Sequence, residues 1–148
     1  IRQRFAPWVA RAASGELDGW LADIRGRLAL ILLTDQFPRN MFRGHADQFS
    51  TDPLALAIAK GAVDRGLDEQ LEPVERGFLY MPFQHSEKLD DQKRSLRLFA
   101  RLGNDEQSKY AKLHHDIIER FGRFPHRNAI LGRAPRPEEV AAGDVVPW

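Results

Sequence analysis

The 148 residues contain no cysteine. Disulfides, thiolate-held zinc and thiol nucleophiles are therefore excluded, and a reducing compartment is permitted. Long apolar runs are missing as well: Leu28 to Leu33 is far shorter than the roughly 20 residues that a spanning helix needs. No signal peptide is found, so no membrane and a cytoplasmic location are expected. The chain opens on Ile1, not on methionine, and we expect an N-terminal segment to be missing from it. Neither sign of charge is in excess, with 22 basic residues against 21 acidic ones. No global field draws nucleic acid, so any anion binding must be local. Also lacking is any apolar/polar alternation long enough for a strand.

What is there reads as helix after helix in a single domain, Ile1 to Trp148. A chain of this length can bury roughly 68–70% of its unfolded surface. Ile1, Phe5, Trp8, Val9 and Ala12 recur at helical spacing around Pro7 and stop at Gly15. The run from Leu28 to Leu33 is apolar on every side and predicts a buried helix. That helix carries Asp35 and Gln36 on its last turn and ends where Pro38 disfavours helical backbone before it. Asp52-Pro53 opens the next helix, which closes at Gly66. Glu72-Pro73 opens another, interrupted by Pro82. Leu96, Phe99 and Leu102 mark the apolar side of a helix that closes at Gly103, with Lys93 to Arg101 as its solvated charges. Asn104 with Gln107 forms a capping box for the helix carrying Tyr110, Leu113, Ile117, Ile118 and Phe121, closed by Gly122. Pro125 starts a short helix to Leu131. Beyond it, residues 133–148 are expected to be an irregular tail with one turn around Glu138 to Ala142. About six or seven helices joined by short connections imply an all-α fold of antiparallel pairs.

Two corners share a pattern. Phe37-Pro38-Arg39-Asn40 and Phe124-Pro125-His126-Arg127-Asn128 each run into two apolar residues and, one residue further on, a glycine, Gly44 or Gly132. An old duplication and coincidence are equally open explanations.

Several motifs occur in one order. They are Leu28 to Asn40, Thr51-Asp52-Pro53-Leu54-Ala55, His85-Ser86-Glu87 with Asp91-Gln92, His114, and Phe121 to Asn128. Together they resemble the bacterial family called domain of unknown function 924, over about Ile1 to Gly132. The resemblance implies a helical, tetratricopeptide-like superhelical array, and no established activity. Family members usually carry an aromatic Phe-Trp-Phe segment before the position of Ile1, and the stretch from Pro135 to Trp148 departs from their usual ending.

The residue types leave binding and catalysis both open. Arginines beside phenylalanines can grip a carboxylate or phosphate through paired N–H donors while the rings exclude water. Arg39, Arg123 and Arg127 are the candidates, with Gln36, Asn40, Gln92, His114 and Asn128 as further ligand-binding side chains. Asp35, His85, Glu87 and His126 are the candidate acid/base groups. No His-Glu-x-x-His or other diagnostic spacing marks a metal site, and the residues name no cofactor. Against these readings, the arginines can cap helix C-termini and pair with Asp35 or Glu87. His114 sits on the apolar stripe as a core histidine bonded to a carbonyl, and Ser86 serves as the N-cap of a helix beginning at Glu87. The expected function is a polar pocket for a small anionic ligand, with catalysis left open. The alternative is a helical-repeat scaffold for a peptide or protein partner, its polar residues acting as locks.

Overall fold

In the computed structural model, which describes residues 2–148, every regular element is helical and no strand occurs among the described residues. The expected all-α class is what the fold shows. Contacts divide the chain into two compact units, residues 1–82 and residues 83–148.

The first unit begins with α1, Arg2–Ala13, which runs through Pro7 and buries Val9 and Ala12. Ile1, the first position of the expected stripe, lies outside the described residues. A short 3-10 turn at Asp18–Ala22 leads to α2, Ile24–Ile31. Its cap is Asp23, whose Oδ1 accepts from the Gly26 N–H at 2.7 Å. Gly26 thus lies in the first turn of the helix. A β-carbon there would stand 2.0 Å from the Trp20 carbonyl oxygen, so the turn and the helix approach too closely for any side chain.

The expected end before Pro38 is not observed. The chain passes from α2 through a π-helical turn, Leu32–Gln36, into α3, Phe37–Met41, without leaving the helix. Proline has no N–H to give to the carbonyl four residues back, and its ring crowds that carbonyl. The π turn absorbs the conflict by adding a residue to the turn, with the Phe37 N–H bonding to Leu32 O. The bypassed carbonyl, Thr34 O, accepts instead from the Thr51 hydroxyl at 2.6 Å. A residue just outside the next helix thus satisfies a buried acceptor that would otherwise cost about 1–3 kcal/mol.

Next comes α4, Asp52–Asp64, with Thr51 as its cap, one residue earlier than expected; Gly66 follows in the left-handed region. Pro82 does not break α5 either, which runs Pro73–His85.

In the second unit α6, Leu89–Leu102, and α7, Asp105–Phe121, pack against each other as a hairpin. The bend is made by Gly103 at φ 71° and by Asn104, which accepts from the Gln107 N–H as expected. The buried face of α6 departs from the reading by hydrophobicity. It presents Asp91, Gln92 and Ser95 beside Leu98 and Phe99, whereas Leu96 and Leu102 are half-buried. Gln92 explains part of this, because its Nε2 donates to Gln84 O and Ser86 O at 2.7 Å each and so closes the chain beyond α5. A single 3-10 turn, Pro125–Arg127, then feeds α8, Asn128–Leu131, and α9 follows at Pro137–Ala142. Ile117, Ile118, Phe121 and Phe124 form one apolar core cluster of the unit, against which Leu89, Ala142 and Val145 pack.

Candidate functional site

The two corners share letters more than backbone. The first continues a helix across the π turn, while the second starts afresh after Gly122, which holds φ 74°. Both seat an arginine over a phenylalanine ring, Arg39 over Phe49 at 5.4 Å and Arg127 over Phe124 at 4.7 Å. Both asparagines also accept from a following arginine, Asn40 from Arg43 and Asn128 from Arg133.

The candidates of the first unit are tied to the backbone and to one another. Arg39 forks onto Asp52 through Nη1 at 2.7 Å and Nη2 at 2.8 Å, and Nη1 also reaches the Asp35 carbonyl at 2.9 Å and its carboxylate at 3.3 Å. Burial works against the Arg39 charge, yet the Asp52 bonds and the two carboxylates together hold its pKa above the ordinary value. Asp35, with 0% exposure, also accepts from Gln36 Nε2 at 2.8 Å. Asn40 is exposed and donates to Gln36 O at 3.3 Å. These bonds join the π turn to the start of α4.

Locks of the same kind occupy part of the second unit. Glu87 is not in the first turn of α6. It accepts from Arg133 at 2.9 and 3.2 Å and from the Phe124 N–H at 2.6 Å. Burial opposes its ionisation, but Arg133, the Phe124 N–H and the nearby Arg127 charge hold it below the usual carboxylate range. Ser86 is not the cap of a helix starting at Glu87; Lys88 precedes α6, and the Ser86 hydroxyl donates to Asp91 at 2.6 Å. Arg123 grips Glu139 through Nε at 3.0 Å and Nη2 at 2.7 Å. With further donors from Asn128 and Arg136, this holds the Glu139 pKa at about 2.

Arg133, Glu139 and Asp52 were not among the sequence candidates. Glu138 and Glu139 directly after Pro137 were the available signal, being acidic residues in the first turn of a proline-led helix.

The remaining candidates converge on one ring. Phe124, fully buried, has His114 at 5.5 Å edge-on, His126 at 5.6 Å and Arg127 across its face. His85 stands 6.3 Å from His114, and Trp148 packs edge-on to His126 at 5.1 Å. Arg127 Nη2 donates to the His85 carbonyl at 2.8 Å, which closes the last turn of α5. His114 makes the carbonyl bond expected of it, from Nδ1 to Tyr110 O at 2.7 Å. Burial first, and then the positive charges of His85, Arg127 and His126, push its pKa down to about 3 against the pull of the Tyr110 bond. At neutral pH His114 is therefore an uncharged imidazole. Among the described residues no group of His, Asp and Glu is arranged to hold a metal ion.

Comparison with known proteins gives a family and a fold. The model of a family described as bacterial protein of unknown function, DUF924, matches residues 1–142. No curated protein matches the chain. A solved structure of the protein of unknown function ATU0120 from Agrobacterium tumefaciens is similar, at 48% identity and a TM-score of 0.90, over 95% of this chain and 80% of that one.

Proposed function

This chain belongs to the bacterial DUF924 family of unknown function, and on that premise we propose that it binds a small anion at the cluster of His85, His114, His126 and Arg127. One observation carries the reading. The His114 and His126 rings and the Arg127 guanidinium gather around the buried Phe124 ring, with the His85 ring 6.3 Å from His114, and burial first, then the neighbouring charges, keeps His114 uncharged. The part of that shift owed to neighbouring charges favours a negative group, whereas the part owed to burial opposes a charge of either sign. Arg127 supplies a fork suited to a carboxylate or phosphate, and the rings beside it limit water, which strengthens such a contact. Arg39 and Arg123 are bound to carboxylates of the protein. Binding is the function assigned, because Glu87 is committed to Arg133 and the Ser86 hydroxyl to Asp91.

The locks at Arg39, Arg123 and Arg133 also fit the alternative role, a helical scaffold that binds a peptide or partner protein. That reading has less behind it, as the exposed apolar residues of the second unit are few, with Val140 and Trp148 the most open at 65% and 70%.

Calorimetric titration with inorganic phosphate and with propionate tests the proposal. The wild type is expected to show saturable binding of at least one of them. Arg127→Lys keeps the charge and loses the fork, and should weaken that binding about tenfold, the size of one charge-assisted hydrogen bond. Equal affinity in the variant, or no saturable binding in the wild type, sinks the assignment.

A further inference from the structure

The chain beyond α9 lies against the ring cluster but is bonded to nothing there. Residues 144–148 make no hydrogen bond and no ion pair among the described residues. Apolar contact holds them instead. Val145 packs on the core cluster of Ile117, Ile118, Phe121 and Phe124, the Pro147 side chain is fully buried, and Trp148 sets its ring edge-on to His126 at 5.1 Å. Trp148 itself stays 70% exposed. The segment leaves α9 at Gly143, whose φ of 75° and ψ of −146° belong to a region essentially reserved for glycine. A β-carbon there would meet nothing within 4 Å, so the demand comes from the backbone alone. A glycine corner followed by a short stretch without hydrogen bonds opens at low free-energy cost.

We infer that residues 144–148 are a strap, hinged at Gly143, that covers the His126 side of the ring cluster and must swing away before an anion enters. The inference rests on the anion-binding reading and supplies its regulation. Trp148 and the ligand exclude each other at the His126 ring, so the strap acts as a competitor built into the chain. The affinity observed is then the intrinsic affinity scaled by the fraction of molecules whose strap is open. Chemical access to the His126 ring is scaled by the same fraction.

Trp148→Ala and Gly143→Ala loosen the strap from its two ends without replacing a residue of the cluster. The first removes one aromatic pair contact and should raise the open fraction about fivefold. The second strains the closed corner and should act in the same direction. One readout needs no ligand, because diethyl pyrocarbonate reacts with accessible imidazole nitrogen. At neutral pH its rate at His126, followed by mass spectrometry, should rise about fivefold in Trp148→Ala. His45, exposed in the first unit, should react alike in all three proteins. The other readout is calorimetric titration with inorganic phosphate and with propionate. Whichever anion the wild type binds should bind each variant more tightly, by the factor that variant shows at His126. An unchanged rate at His126 in both variants overturns the strap. A faster rate with unchanged anion affinity means that the segment covers the ring without gating the site, which overturns the inference and leaves the binding site standing. If neither anion saturates the wild type or the variants, the anion site falls, and its regulation falls with it.

Discussion

Gly26→Ala is expected to destabilise the protein by about 3 kcal/mol or more, the upper range for forcing atoms into a filled space. The added methyl would sit 2.0 Å from the Trp20 carbonyl oxygen and 2.8 Å from its carbon, and both are backbone atoms that cannot rotate away. Relief would require the 3-10 turn at Asp18–Ala22 to part from α2, which also strains the Asp23 cap. Gly61 provides an internal comparison. Its β-carbon would meet the end of the Arg27 side chain at 2.9 Å, a flexible neighbour, and alanine is favoured over glycine inside a helix by roughly 0.5–1 kcal/mol. Urea unfolding of the two variants should therefore show a large loss for Gly26→Ala and little change or a small gain for Gly61→Ala. A Gly26→Ala protein as stable as the wild type would contradict this account of the turn.

Arg39→Ala is the second large effect, expected to cost about 3–5 kcal/mol, as when one partner of a buried ion pair is removed. The guanidinium joins the Asp35 carbonyl and carboxylate to the Asp52 carboxylate, and Asp35 has 0% exposure, so its charge cannot turn to water. The position matters further because Asp35 lies in the π turn that carries the helix past Pro38. Arg39→Lys should recover only part of the loss, since an ammonium cannot hold both oxygens of Asp52 while reaching Asp35. Chemical denaturation measures both variants, and a loss under about 1 kcal/mol for Arg39→Ala would mean that the ion pair is not what holds the turn.

Helices, their ends and one histidine were legible because they depend on local chemistry. Gly66, Gly103 and Gly122 stop helices by adopting positive φ, Asn104 caps the next one, and His114 bonds four residues back along its own helix. Prolines misled for a physical reason. The rule that Pro38 ends a helix is local, whereas the group that rescues the bypassed carbonyl is Thr51, 17 residues downstream. Hydrophobicity likewise concealed the buried face of α6, because Asp91, Gln92 and Ser95 can be buried only where other segments bring partners such as the Gln84 and Ser86 carbonyls. In the site, residue types were readable but not commitments. Arg39, Arg123 and Arg127 look alike in sequence, and only the fold brings Asp52 to the first and Glu139 to the second.

Proton NMR of the five histidine rings during separate titrations with inorganic phosphate and with propionate at neutral pH, read for whichever anion binds, tests the anion site most directly. Saturating shifts of His85, His114 and His126 on one isotherm, with His45 and His115 unmoved, are the expected result. His45 lies beside Asp47 in the first unit, and His115 is paired with Asp116 and Glu119. Shifts that never saturate, or that move all five rings alike, would show that no anion site exists around Phe124.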